Sequence, residues 1–284
     1  LAKIFLIWYL IYKIWFIIII NKNWNLKFKS WGIKMILFGD YHTHTQYSHG
    51  KGTILDNAKV AQSKGLKEIA ITDHGFGHKL YGVKRQDVEN ILRDIKKAEK
   101  ETGVNILYGV EGNFVDRQGN IDVTADDYSK MDILLIGHHN FVQATHFSDK
   151  FPMFYRNMLS GIWAPSKKLI ENNTAIYLRA FEKNKIDIIT HLNYGMKVDT
   201  MEVARAAKQV GTFIELNGKR ILFTDDEIVK MAEEGVKFII DSDAHTPDAV
   251  GECNRATNLI RRLEIPLDRV VNLNKFPIFH KGRK

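Results

Sequence analysis

Seven short β-rich runs punctuate the chain after Met35, each followed by a stretch with helical periodicity. They are "ILFGDYH" (36–42), "EIAITDH" (68–74), "NILYGVEG" (105–112), "DILLIGHH" (132–139), "DIITHL" (187–192), "TFIELNG" (212–218) and "KFIIDSDAH" (237–245). Strands that alternate with helices predict a parallel sheet whose faces are covered by the crossovers. The intervening stretches include "VKRQDVENILRDIKKAEKETG" and "APSKKLIENNTAIYLRAFEKN"; the second carries Pro165 and Ser166, suited to a helix start. Residues 140–165, rich in Phe, Met and His, predict a long loop with one short helix. Seven such units, with no linker or low-complexity segment between them, predict one α/β domain closed or nearly closed into a barrel.

Barrel enzymes place their chemistry at the C-terminal ends of the strands, and the eleven histidines of the chain test that rule. The first run ends in His42 and His44, with His49 in its loop, and the second ends in His74. The third reaches Glu111, the fourth ends in His138 and His139, the fifth in His191, and the seventh in Asp243 and His245. The sixth offers Glu215 and Asn217 instead. Histidines scattered by chance have no reason to gather at one end of a barrel. Imidazole and carboxylate donors without thiolate suit Zn, Mn or Fe, and so many donors are too many for one ion. The pattern predicts a multinuclear metal site.

The single cysteine, Cys253, excludes an internal disulfide and suits a reducing compartment, so the expected location is the cytoplasm. The net charge of +8 suggests nucleic-acid binding until it is divided along the chain. Residues 1–34 hold six lysines and no acid, which leaves 35 basic and 33 acidic residues in 35–284. A domain so nearly balanced gives no basic face for nucleic acid.

Residues 1–34 stand apart. "IFLIWYLIYKIWFIIII" (4–20) is a near-continuous apolar run broken only by Lys13. Its 17 residues reach the lower limit for a membrane-spanning helix. The lysines at 22, 27, 29 and 34 would hold the following domain on the cytoplasmic side. The other expectation is that Met35 is the true start and that 1–34 is upstream DNA translated in frame. Either way the predicted division is an apolar, basic segment over 1–34 and a catalytic barrel over 35–284.

The motifs "HTH…SHG", "ITDHG", "GVEGN", "IGHHN", "ITHLN" and "DSDAH" resemble, in order and spacing, those of the PHP (polymerase and histidinol phosphatase) superfamily. The resemblance runs from about Met35 to Asn272 and implies a distorted (β/α)7 TIM-like barrel with a trinuclear metal centre. It implies nine metal ligands: His42, His44, His49, His74, Glu111, His139, His191, Asp243 and His245. One metal would take His42, His44, Glu111 and Asp243. Glu111 would bridge to a second metal on His139 and His191, and a third would use His49, His74 and His245. Many members carry Asp where His49 stands, and the exchange tilts preference toward zinc. The family spacing selects His139 as the ligand over His138.

Three divalent ions facing only two anionic ligands, Glu111 and Asp243, leave a positive site that favours a phosphate monoester, attacked by a metal-activated water. The expected function is therefore a stand-alone, histidinol-phosphatase-like phosphoesterase acting on small phosphorylated metabolites. Catalytic roles fall to Glu111, Asp243 and Asp73, the last as a carboxylate orienting His74 or as a loop cap. Lys79, Arg85, Arg156, Lys197, Lys219, Arg220, His78 and His146 lie in loops near the expected ligand face, whereas His280 lies in the tail. The alternative within the same fold is a nuclease acting on DNA ends or oligonucleotides. An amidohydrolase-type barrel also begins with H-x-H, but it has eight strands and often a carboxylated lysine after the fourth. A non-catalytic module would show degraded ligands, and none is missing here.

Overall fold

The apolar runs form seven parallel strands whose order in the sheet is their order in the chain. They are β1 (Gly39–Thr43), β2 (Glu68–Ile71), β3 (Asn105–Asn113), β4 (Ile133–Gly137), β5 (Ile188–Ile189), β6 (Phe213–Asn217) and β7 (Phe238–Asp241). A computed structural model describes residues 35–145, 148, 155–159 and 164–282. The chain divides into two units, and the second, Leu37–Lys284, carries these strands. Nearly every strand residue is buried, which is why the runs read as continuous apolar stretches and not as an alternation. Among the described residues no helix is long and apolar enough to cross a membrane. The apolar run 4–20 lies outside the described residues.

Between the strands run α1 (Ile54–Ser63), α2 (Val88–Thr102), α3 (Ala125–Lys130), α5 (Lys167–Lys183), α6 (Thr200–Val210) and α7 (Asp225–Glu233). The short α4 (Arg156–Leu159) lies in the long loop after β4, and α8 (Asn254–Arg262) follows β7. Thr53, Thr124 and Thr224 each close a reciprocal capping box at a helix start. Ser166 caps α5 by accepting from the Leu169 amide at 3.3 Å, as its position beside Pro165 predicts.

The barrel closes between β1 and β7 through side chains more than through a strand ladder. Only Thr43 and Ala244 form a bridge there, supported by the amide of His44 donating to Ala244 O at 2.8 Å. Below it, Asp241 accepts from the amide of Tyr41 (2.7 Å), and Asp40 accepts from the amide and hydroxyl of Ser242 (3.0 and 2.5 Å). Lower still, the Asn272 amide reaches both edges, donating to Gly39 O and Ile240 O. Buried edge amides cannot stay unpaired, so carboxylates and an asparagine complete the seam.

A bulge in β1 decides what that strand offers the interior. Asp40 pairs with Ile69 and Thr43 with Ile71, so three residue steps in β1 oppose two in β2. Tyr41 thereby fills the barrel floor with Leu107, Leu135, Ile188, Phe213 and Ile239, while the neighbouring His42 also faces the axis. Phe279 plugs the floor from below, its ring 5.1 Å from that of Tyr41. His280 follows it, bonding to Ile186 O and to Asp187 ahead of β5, at the end opposite the histidine cluster.

Candidate metal centre

At the C-terminal ends of the strands, buried imidazoles and two carboxylates converge. Nε2 of His42 and of His44 lie 3.1 Å apart. Oε2 of Glu111 is 3.3 Å from the first and 3.6 Å from the second; Oδ1 of Asp243 is 3.8 and 3.5 Å from them. Donors about 2.0–2.2 Å from a shared tetrahedral ion stand about 3.3–3.6 Å from each other. The quartet's distances, 3.1–3.8 Å, bracket that spacing.

Glu111 joins this quartet to the rest. Its Oε2 also lies 3.1 Å from Nδ1 of His74 and 3.3 Å from Nε2 of His139, while Oε1 lies 2.8 Å from Nε2 of His191. Thr190 donates to Oε1 at 2.8 Å and fixes the carboxylate plane. His74, Glu111 and His139 form a second group of converging donors, and His44, His74 and His245 a third. His49 stacks on His74 with centroids 4.8 Å apart and meets His245 edge-on at 4.2 Å. All nine predicted ligands thus lie in one contiguous cluster. Within it His74 lies near both Glu111 and His245.

Around these donors the chain is built for close approach. A Cβ on Gly137 would lie 2.4 Å from Thr190 Oγ1, 2.8 Å from His191 Cε1 and 3.0 Å from Glu111 Oε1. Only glycine lets the carboxylate and the ring meet there. His191 and Asp243 adopt left-handed backbone, with φ of 28° and 54°, a conformation that non-glycine residues keep mainly where function demands it.

Electrostatics suit a cation. Burial works against the charged forms of Glu111 and Asp243. The imidazoles of His139, His42 and His191 about Glu111, and of His42, His245 and His44 about Asp243, nonetheless hold both acids well below the usual carboxylate range. Burial and the neighbouring His74 push His44 well down, and burial with His245 and His74 lowers His49 to about 4. Burial works against the charged forms of His42 and His191 too, but Glu111 and Glu215 raise both, so a divalent ion would displace their protons while finding Glu111 and Asp243 already ionised. Among the described residues, Nδ1 of His44 and of His191 are buried without a hydrogen-bond partner. The residues present therefore fit the metal group the motifs imply.

Hydrogen bonds behind the cluster fix how its rings face. His42 Nδ1–H donates to Glu215 Oε1 at 2.7 Å, and the other Glu215 oxygen accepts the His191 amide at 2.6 Å. Asn113 Oδ1 receives His139 Nδ1–H at 2.7 Å, while its amide nitrogen donates to Asp122. Glu215 stood out only as the sixth strand's substitute for histidine, and Asn113 only as the last letter of "GVEGN". Asp73 corrects one expectation: its hydrogen bonds go to the Thr45 amide and hydroxyl and the Ser48 hydroxyl, all at 2.5–2.6 Å, and not to His74. It holds the loop between His44 and His49. His138 is buried beside Gly195, and its pKa is lowered to about 3 by burial and by His139 and His191. His78 adjoins the cluster, its ring 5.2 Å from His74.

The loop cations divide sharply. Arg85 is committed to Asp127 at 2.8 Å and to the face of Phe76. Lys219 reaches the centre, donating to Asp243 O and lying 2.8 Å from His245 Nδ1. Arg220 lies over the Tyr194 ring, 4.3 Å from its centroid. Lys79 and Lys197 are exposed. His146 and the Arg156 side chain lie outside the described residues.

Fold and site together define a barrel hydrolase whose chemistry sits at the C-terminal ends of its strands. The chain belongs to the PHP domain family, whose model matches residues 40–248. It is 34% identical to a protein of Thermoanaerobacter sp. (strain X514) named a probable phosphatase, over 84% of this chain and 91% of that one. A protein of Shewanella sp. (strain ANA-3), also named a probable phosphatase, is 31% identical over 82% of this chain and 86% of its own. Among solved structures, the barrel superposes on histidinol phosphate phosphatase of Lactococcus lactis, crystallised with zinc, L-histidinol and phosphate. The TM-score is 0.55 at 15% identity, covering 81% of this chain and 95% of that one.

Proposed function

We propose that this protein is a metal-dependent phosphoesterase that hydrolyses small phosphomonoesters, with three divalent ions held by the nine clustered ligands. The observation that carries this reading is the placement of Glu111 Oε2 within 3.1–3.6 Å of nitrogens from His42, His44, His74 and His139. One carboxylate oxygen among four imidazoles is costly to bury unless cations share it. His42, His44, Glu111 and Asp243 would hold one ion; Glu111, His139 and His191 a second; His49, His74 and His245 a third. Zinc fits this imidazole-rich set best, with Mn or Fe as alternatives.

When bound, the ions supply an activated water and positive charge for the phosphoryl oxygens. The chain's own residues set the geometry. Thr190 fixes the Glu111 carboxylate, Glu215 orients His42, and Asn113 orients His139. Asp73 fixes the loop that brings His49 against His74 and His245. Lys219 adds a positive charge beside Asp243 for an anionic substrate. Catalysis would then belong to residues 35–284, and the free, buried Cys253 fits a cytoplasmic setting.

The test is hydrolysis of p-nitrophenyl phosphate and a panel of phosphorylated metabolites, histidinol phosphate included, by the full chain with Zn or Mn. Glu111→Ala is expected to abolish turnover and reduce bound metal. Full activity in that variant overturns the mechanism. A short single-stranded oligonucleotide run beside the panel separates the nuclease alternative, and comparing membrane with soluble fractions tests whether residues 4–20 anchor the chain.

A further inference from the structure

The turn after β6 carries two adjacent cations that the structure holds in different ways. Gly218 donates its amide to Asp241 O at 2.7 Å and packs so closely that a Cβ would lie 2.4 Å from Glu252 O. Asn217 Oδ1 accepts the amides of both Lys219 (2.9 Å) and Arg220 (3.2 Å). Its own Nδ2 donates to Glu215 at 3.1 Å and lies 3.4 Å from Asp243 Oδ2. The turn is therefore tied to the metal-ligand cluster through one side chain. Arg255 fastens its far side by donating to Lys219 O at 2.6 Å.

Lys219 points into the cluster. Arg220 does not. Its guanidinium lies on the Tyr194 ring, which in turn stands edge-on to His191 with centroids 5.4 Å apart. Among the described residues, no carboxylate or carbonyl occupies the guanidinium donors, and the side chain is half-buried. Arg85 shows the contrast, since Asp127 takes its fork in a bidentate pair. A guanidinium seated over a ring with open donors is preorganised to take a carboxylate or phosphate two-pronged, with little entropy lost on binding.

We infer that Arg220, seated on Tyr194, is a specificity-determining residue that selects phosphomonoesters whose leaving group bears a second anion. The inference rests on the phosphoesterase reading. The ions and Lys219 serve the reacting phosphoryl group, and Arg220, one residue farther along the pinned turn, meets an anion on the remainder of the substrate. A carboxylate and a second phosphate share the chemistry it recognises.

Two measurements separate this inference from the reading beneath it. Turnover of p-nitrophenyl phosphate reports phosphoesterase activity alone, and Arg220→Gln should leave it unchanged. Selection is read by calorimetric titration of the metal-loaded protein with hydrolysis-inert phosphonocarboxylates of two to four carbons, against alkylphosphonates of matching length. The wild-type chain should bind the best phosphonocarboxylate at least tenfold more tightly than its alkyl partner. Arg220→Gln should erase that difference while leaving alkylphosphonate binding intact; Arg220→Lys should restore part of it, and Tyr194→Ala should narrow it. No preference in the wild-type chain, or an equal loss for both ligand types in Arg220→Gln, overturns the inference. Loss of p-nitrophenyl phosphate turnover in the wild-type chain, with the preference retained, overturns the phosphoesterase reading alone.

Discussion

Glu215 accepts the Nδ1 proton of His42 at 2.7 Å, and so decides which nitrogen of that histidine faces Glu111 and Asp243. A carboxylate can only accept, so His42 keeps a proton on Nδ1, and Nε2 is the nitrogen whose lone pair would be offered to a metal. Glu215→Gln should lower metal affinity about 10–100-fold while the barrel still folds. Titration of the metal-stripped variant with zinc, followed by circular dichroism, checks both halves of that expectation.

Asn113 does for His139 what Glu215 does for His42. Its amide nitrogen is spoken for by Asp122 at 2.7 Å, which turns the oxygen toward His139. Asn113→Ala should weaken metal retention about tenfold or more. The quartet of His42, His44, Glu111 and Asp243 keeps its own contacts, so the tightest-bound ion should remain. Metal content after graded dialysis against a chelator distinguishes the loss of one ion from the loss of all.

Asp73 takes three short hydrogen bonds from Thr45 and Ser48. Asp73→Ala leaves those donors unpaired in a buried site, at a cost of about 3 kcal/mol. Urea unfolding should show that loss. Metal binding that requires His49 should weaken with it, because the loop carrying His49 loses its anchor.

The buried His138 gives the fold an acid limit. Its pKa is held near 3 by burial and by the neighbouring His139 and His191, against about 6.5 in an unfolded chain. Above pH 6.5 both states are neutral and the residue is silent. Below that, the unfolded chain takes up a proton that the folded one refuses, so stability falls as pH drops toward 3. His138→Gln should flatten the fall between pH 6.5 and 4, measured as the midpoint of urea unfolding at each pH.

Much of this was written into the chain order. Seven buried parallel strands need seven apolar runs, and an enzyme of this architecture needs its donors where those runs end. Both patterns are local and periodic, so they survive in one dimension. That the nine candidate ligands gather at one end of the barrel was legible for that reason, as was the capped start of α5 at Ser166. The roles of Asp73, Glu215 and Asn113 were not. Each depends on a partner 25 or more residues distant, and the choice between orienting a histidine and tying a loop is made by packing.

The β1 strand shows the division most plainly. Sequence alone determined that "DYHTHT" ends a buried strand and carries two of the clustered histidines. Strict alternation, however, would send Tyr41 and His42 to opposite faces of the sheet. The tertiary structure sends both toward the barrel axis, one to the floor and one to the metal-ligand cluster, because a bulge against β2 inserts an extra residue between Asp40 and Thr43. The residues that make the centre are fixed by the chain; the backbone irregularity that aims them exists only once β1 and β2 pair.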